Sequence, residues 1–211
     1  MDNLTKRLKV ARGEAPADLV ISGGRVACVY TGEWLEQDVA IADGCIAGLG
    51  EYAGPRLEVD GAYLVPGFID GHLHLESSLL SPGELARALL VRGTTTVVAD
   101  PHEICNVWGA RGLDYFLEAT EGLPLDFFFV VPSCVPASTL GTSGANLEAE
   151  DLAPYRDHPR VLGLAEVMNF PGVVAGDAGL LKKIAAFRGE VIDGHGRPWT
   201  EAGHAVALLP R

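Results

Sequence analysis

The 211-residue sequence is poor in basic residues, with 16 lysines and arginines against 28 aspartates and glutamates. The resulting net charge of −12 would repel both a nucleic-acid backbone and an anionic membrane surface. No apolar run approaches the roughly 18 residues that a transmembrane helix needs, and the N-terminus lacks the apolar region of a secretory signal. We therefore expect a cytoplasmic protein without nucleic-acid or membrane partners.

The sequence also lacks the motifs of several common cofactor sites. No Gly-x-Gly-x-x-Gly turn follows an apolar run and no Gly-x-x-x-x-Gly-Lys-Ser/Thr loop occurs, which excludes the usual dinucleotide and P-loop sites. A zinc knuckle or a dithiol redox site is disfavoured because no C-x-x-C pair is present. The four cysteines are widely spaced: Cys28, Cys45, Cys105 and Cys134.

The chain divides into four segments of different texture. Short apolar runs broken by turn residues predict a small antiparallel β-module, in which Asp43-Gly44 is a hairpin signal. Longer apolar strands then alternate with helical stretches. The segments are an N-terminal extension (1–17), the β-module (18–66), a partial barrel (67–195) and an aberrant tail (196–211).

Five apolar strands recur about every 30 residues after Gly67, which is the length of one β-strand with its crossover helix. Ser81-Pro82 predicts the start of one intervening helix, ending at Gly93, and Asp177 predicts the N-cap of another. Repeated βα units imply a covered parallel sheet. We therefore predict an α/β fold, with the β-module followed by about five of the eight βα units of a TIM-like barrel. The candidate strands are 67–70, 95–100, 126–131, 161–167 and 190–193.

Polar side chains follow four of these strands, at the rim where TIM-barrel active sites are built. His72 and His74 are alternate residues of an extended segment, so both point to one side and could bind one metal ion. Glu166 and His195 follow the fourth and fifth strands. Imidazole and carboxylate together make a mixed site that suits zinc, iron or manganese. The alternative for the histidine pair is a polar loop without a ligand.

Three further residues, His102, Glu103 and Asn169, lie at the same rim. They could contact a substrate, or they could form ion pairs, cap a loop or hold the loop beside the metal. Cys134 has no evident basic neighbour and is predicted to pack rather than to act as a nucleophile. His158 precedes the fourth strand, at the opposite end of the barrel, and is predicted to lie at the surface.

The stretch V-P-G-F-I-D-G-H-L-H resembles the opening of the amidohydrolase superfamily of metal-dependent hydrolases. Five later motifs resemble the adenine deaminase family within it, in the same order and spacing. The resemblance covers about residues 18–195. The motifs are Glu76–Ser78, Asp100–Ile104, Pro132–Pro136, Ala165–Asn169 and Ile192–His195.

The resemblance implies hydrolytic deamination of adenine to hypoxanthine and ammonia, in purine catabolism or salvage, by a metal-activated hydroxide. It implies a divalent cofactor, with manganese preferred over iron or zinc, and a homo-oligomer is expected by analogy. The implied roles are metal ligands at His72, His74, Glu166 and His195, catalysis by Glu166 and His195, and substrate binding by His102, Glu103 and Asn169.

The barrel is expected to be unfinished, because an eight-stranded barrel takes about 250 residues and 145 follow Pro66. The resemblance ends after His195. We expect a truncated or frame-shifted product, inactive in isolation, in which residues 196–211 are out of register and His204 is not a ligand. Two alternatives stay open: another amidohydrolase that acts on a cyclic amide or imine, and a non-catalytic remnant.

Overall fold

The computed structural model describes residues 2–138 and 140–195, so the aberrant tail predicted at 196–211 lies outside the described residues. The chain forms two compact units that divide between Pro66 and Gly67. None of the described helices combines the length and the apolar character that a membrane-spanning segment requires.

The N-terminal unit is the small β-module that the turn-rich sequence predicts. Its strands are β1 (Leu19–Ser22), β2 (Arg25–Cys28), β3 (Glu33–Leu35), β4 (Val39–Ala42), β5 (Cys45–Leu49), β6 (Arg56–Glu58) and β7 (Tyr63–Leu64). They form two small sheets, ordered β5-β4-β1-β6 and β3-β2-β7. The module contains two parallel pairs besides the antiparallel ones, β1 with β6 and β2 with β7. The apolar alternation of the sequence did not indicate these parallel pairs.

The hairpin predicted at Asp43-Gly44 joins β4 to β5. These two residues have φ angles of 51° and 70°, the left-handed backbone that a two-residue type I′ turn requires. A helix, α1 (Asp2–Ala11), precedes the strands and buries Val10 completely in a small core with Val20. The N-terminal extension is therefore packed against the β-module.

The second unit contains a five-stranded sheet in which neighbouring strands are parallel and follow chain order, β12-β11-β10-β9-β8. This arrangement confirms the predicted α/β fold with five consecutive barrel-type strands. The strands are β8 (Phe68–Leu73), β9 (Thr94–Ala99), β10 (Asp126–Val131), β11 (Val161–Val167) and β12 (Val191–Gly194).

Helices connect these strands, and two of them begin where the sequence predicts. Ser81 is the N-cap of α2, which ends at Leu90 rather than at Gly93. Asp177 caps α7, since its Oδ1 accepts a hydrogen bond from the Leu180 amide at 2.8 Å. The helices are α2 (Pro82–Leu90), α3 (His102–Trp108), α4 (Ala110–Ala119), α5 (Ala149–Leu152), α6 (Phe170–Ala175) and α7 (Ala178–Ala186).

The hydrophobic core of the second unit joins the sheet to its helices. Phe129 of β10 is fully buried, and it belongs to one cluster with Leu113 of α4 and Ile184 of α7. Burying such side chains is the main favourable contribution to folding. The packed core thereby fixes the positions of the strand ends that carry the polar residues.

We expect Phe129→Ala to lower the free energy of unfolding by about 3–5 kcal/mol, because Phe129 is fully buried and its truncation leaves a cavity in the core. Urea unfolding followed by circular dichroism measures the change. Val91→Ala is the matched control, since Val91 is 80% exposed and its truncation should change stability by less than about 0.5 kcal/mol. Equal effects of the two substitutions would contradict the assigned core.

Candidate metal centre

The predicted ligands meet at the carboxyl edge of the parallel sheet. His72 lies near the end of β8 and His74 directly follows it, Glu166 lies near the end of β11, and His195 follows β12. Because the five strands run in one direction, their carboxyl ends share one edge, where barrel enzymes build their active sites.

Strand pairing is irregular next to two of these residues. The register of β8 on β9 shifts between Asp70 and Leu73, around His72. The register of β11 on β12 shifts between Leu164 and Val167, around Glu166. Such irregularities re-aim side chains and are common beside active sites.

The imidazoles of His72 and His74 converge, with their Nε2 atoms 3.0 Å apart. His74 Nδ1 lies 3.1 Å from the carbonyl oxygen of Asp100. A carbonyl can only accept, so Nδ1 carries the proton and Nε2 presents its lone pair. Two nitrogens bound to one ion at about 2.1 Å are about 3.0–3.4 Å apart for angles between 90° and tetrahedral. The observed separation therefore suits two ligands of a single ion.

Glu166 is buried, with its side chain 5% exposed, and it lies among three histidines. Its Oε1 is 3.6 Å from His74 Nε2 and 3.8 Å from His102 Nδ1. Its Oε2 contacts His195 Nδ1 directly. The carboxylate is therefore able to link the imidazoles of the first strand to the imidazole that follows the fifth.

A compact donor group surrounds this carboxylate. One ligand atom from each of His74, Asp100, His102 and Glu166 lies within 4.8 Å of the other three. Burial raises the pKa of Asp100, and the hydrogen bond with His102 opposes that shift. In the described part of the chain, Asp100 Oδ1 is a buried acceptor without a hydrogen-bond partner. Buried, unpaired carboxylate oxygens are costly unless a cation binds them, so this donor set fits a divalent metal ion.

His102 and Glu103, predicted to contact substrate, begin α3 beside the converging imidazoles. His102 Nδ1 lies 3.0 Å from Asp100 Oδ2, and this hydrogen bond raises the pKa of His102. Glu103 Oε2 lies 3.5 Å from His74 Nδ1, and its Oε1 accepts from Ser77 Oγ at 3.3 Å. Both residues thus contact histidines or carboxylates of the candidate metal centre, and their contact with substrate stays a prediction.

Asn169 caps a helix after β11. Its Oδ1 accepts from the amide of Gly172 at 3.0 Å at the start of α6. This contact fits the alternative in which Asn169 holds the loop, and substrate binding by its amide stays a prediction. Asn169 also lines a cavity of about 320 Å³ together with Ser133 and Lys183.

Sequence reasoning overlooked a buried link between α7 and the metal centre. Lys183 Nζ donates to the Ser133 carbonyl at 3.3 Å, and Ser133 Oγ donates to the Glu166 carbonyl at 2.6 Å. Burial lowers the pKa of Lys183. A lysine on the apolar face of α7, one residue before Ile184, was the available signal.

Cys134 is buried, as predicted, whereas His158 lies at the predicted end of the sheet but is half-buried rather than at the surface. Burial raises the pKa of Cys134 to about 12, so its thiol stays protonated near neutral pH and is a poor nucleophile. His158 precedes β11 at the amino end of the sheet, where it is half-buried and its Nδ1 accepts from the Arg160 amide at 3.2 Å.

Two carboxylates were missing from the predicted set. Asp100 contacts both His102 and, through its carbonyl, His74. Asp193 Oδ2 lies 3.0 Å from His72 Nδ1. Each stands two residues before a histidine at a strand end, which was the signal in the sequence.

Residues 63–207 match the family model described as the amidohydrolase family. This match covers more than half of the chain. The chain belongs to the amidohydrolase family. The resemblance noted in the sequence is thereby confirmed at the level of the family.

Several similar proteins carry the name adenine deaminase. The one from Cereibacter sphaeroides is 55% identical over 196 residues, which is 92% of this chain and 34% of that protein. Adenine deaminase 2 from Carboxydothermus hydrogenoformans is 51% identical over 189 residues, 89% of this chain and 33% of that protein. The adenine deaminase from Bacillus velezensis is 47% identical over 197 residues, which is 92% of this chain and 34% of that protein. This amidohydrolase therefore spans about a third of the length of these relatives.

A solved structure shows the same fold. N-acyl-D-glutamate deacylase from Bordetella bronchiseptica superimposes with a TM-score of 0.53 at 17% identity, over 82% of this chain and 43% of that chain. At this identity the likeness concerns the fold alone. It supports the arrangement of the parallel strands and their connecting helices in this chain.

We expect His74→Ala to lower the bound manganese to less than about a tenth of the wild-type content at equal free metal, because the substitution removes the imidazole between His72 and Glu166. Equilibrium dialysis with elemental analysis measures the content. His158→Gln is the matched control at the opposite end of the sheet and should leave the content unchanged. Equal metal content in all three proteins would refute the site.

Proposed function

We propose that this chain carries the metal-binding part of a hydrolase that converts adenine to hypoxanthine and ammonia. The observation that carries the proposal is the convergence of His72 Nε2 and His74 Nε2 beside the buried carboxylate of Glu166. The relatives named adenine deaminase, at 47–55% identity over about nine-tenths of the chain, support adenine as the substrate.

The metal would be held by the four residues predicted from the sequence. Two of these, His74 and Glu166, belong to the compact donor group that also contains Asp100 and His102. A divalent ion lowers the pKa of water toward neutrality and so supplies hydroxide. The proposed metal ligands are His72, His74, Glu166 and His195.

Deamination requires a proton to move from the attacking water to the exocyclic nitrogen of adenine as ammonia leaves C6. We assign this transfer to Glu166 and His195, which touch through Oε2 and Nδ1. A carboxylate in contact with an imidazole can accept a proton and return it, as general acid–base catalysis demands. Glu166 is buried, whereas the His195 side chain is 55% exposed and can exchange its proton with solvent.

Recognition of the purine is assigned to polar groups beside this pair. Glu103 Oε2 can accept a hydrogen bond from an N–H group of the purine. The ring of His102 can donate to a purine nitrogen or accept from a purine N–H group. Asn169 would contribute its amide from the loop after β11. These assignments extend the sequence prediction and rest on the shared location of the three residues at the carboxyl edge.

Manganese is the proposed metal. The donor group within the described residues combines imidazoles with carboxylates, a mixture that suits manganese better than a thiolate-rich site would.

We further propose that the 211-residue chain alone binds metal without turnover. The described sheet has five parallel strands, whereas a closed barrel has eight and draws catalytic residues from several strand ends. Reacting groups must be held within about half an ångström of their productive positions. A cytoplasmic location, purine catabolism or salvage, homo-oligomer formation and the lack of nucleic-acid or membrane partners stay predictions of the sequence.

A chimera tests the function of these residues. Residues 1–195 would replace the matching stretch of the Cereibacter sphaeroides adenine deaminase, which is 55% identical. We expect the manganese-loaded chimera to release ammonia from adenine, and Glu166→Gln to lower kcat/KM at least about a hundredfold because the proton carrier is lost.

The chimera with Asp126→Asn is the matched control, since Asp126 is an exposed carboxylate at the amino end of β10. Its activity should equal that of the parent chimera. A folded, metal-loaded chimera that releases no ammonia from adenine would contradict the proposed function, and activity on a cyclic imide instead would favour another amidohydrolase reaction. The chain alone is assayed in parallel, and turnover by it would contradict the proposal that it is inactive in isolation.

A further inference from the structure

The contact between His72 and Asp193 connects the two edges of the sheet. β8 and β12 are separated in the sheet by three other strands. Nevertheless His72 Nδ1, on β8, lies 3.0 Å from Asp193 Oδ2, on β12. The sheet therefore curls until side chains of its first and last strands touch at the metal centre.

The geometry of this contact decides which nitrogen of His72 can bind a metal. A carboxylate accepts hydrogen bonds, so His72 Nδ1 donates and Nε2 keeps its lone pair. That lone pair is directed toward His74 Nε2 at 3.0 Å. A carboxylate behind a ligating imidazole fixes the ring and increases its basicity.

The carboxylate itself is held in place. The amide of Gly194 donates to Asp193 Oδ1 at 2.8 Å, which leaves Oδ2 for His72. Asp70 orients the other partner from within β8, because its Oδ1 accepts from the His72 amide at 3.1 Å. Both members of the pair are thus positioned by their own strands.

The two histidines of the pair are oriented by different means. His74 Nδ1 faces a backbone carbonyl, that of Asp100, which no side-chain substitution removes. His72 Nδ1 faces a side chain that comes from 121 residues further along the chain. The orientation of His72 can therefore be removed by one substitution without changing any proposed ligand.

We infer that Asp193 is a positioning residue that holds His72 in the tautomer whose Nε2 binds the metal, and that it does so across the open face of the sheet. The inference rests on the metal centre of the proposed function and is independent of adenine as substrate. It assigns a role to a residue outside the predicted site.

Zinc affinity of the 211-residue chain tests the inference, with Zn²⁺ as a diamagnetic probe in competition with a chelator. We expect Asp193→Ala to raise the Kd for Zn²⁺ by about 10–100-fold, the usual effect of losing such a partner. Asp193→Asn should raise it less, since the amide oxygen still accepts from Nδ1. Asp126→Asn, an exposed carboxylate of β10 at the other end of the sheet, should leave the Kd unchanged.

Nitrogen-15 NMR of the zinc-loaded proteins separates positioning from a general effect on folding. A protected Nδ1 proton of His72 is expected in wild type, Asp193→Asn and Asp126→Asn, and its loss to solvent exchange is expected in Asp193→Ala. An unchanged Kd in both Asp193 variants, or a protected Nδ1 proton in Asp193→Ala, would overturn the inference. If Asp193→Ala does not fold, Asp193→Leu takes its place, since it keeps the side-chain volume and removes the acceptor; the same rise in Kd and the same loss of the protected proton are expected, and their absence would overturn the inference. Adenine turnover is not measured, so failure of the proposed substrate leaves this result unaffected.

Discussion

Two imidazole nitrogens held 3.0 Å apart impose the main constraint on this molecule. In each ring the Nδ1–H group donates a hydrogen bond, in His74 to a carbonyl oxygen and in His72 to a carboxylate oxygen, so both facing Nε2 atoms present lone pairs. Such a pair is unfavourable without a cation between or beside the two atoms. Three features position these two imidazoles or contact them: the curl of the sheet, the irregular pairing of β8 and the buried carboxylate of Glu166.

The rest of the second unit offsets the cost of that arrangement. Asp100 and Glu166 are almost completely buried, and moving a carboxylate out of water costs free energy even when it is hydrogen-bonded. The apolar cluster around Phe129, Leu164 and Ile184 lies beneath them and stabilises the strands that hold them. A metal ion that binds the folded state and not the unfolded chain would add to stability by mass action. Fold and site therefore support each other.

The central strands could be predicted residue by residue, because β10 and β11 are buried on both faces and read as continuous apolar runs. The edge strands β8 and β12 could not, since their exposed, polar ends carry no such pattern. The shared location of His72, His74, Glu166 and His195 could be predicted because parallel strands bring their carboxyl ends together, and their role as metal ligands stays a prediction. The role of Asp193 could not be inferred, because its contact depends on the curvature of the sheet, which no local pattern encodes.

The most direct test of the account is a crystal structure of the manganese-loaded chain with an anomalous difference map at the manganese absorption edge. A manganese peak is expected within about 2.0–2.3 Å of both His72 Nε2 and His74 Nε2. A bound ion elsewhere, with the two imidazoles sharing a proton instead, would contradict the metal centre on which the proposed function rests.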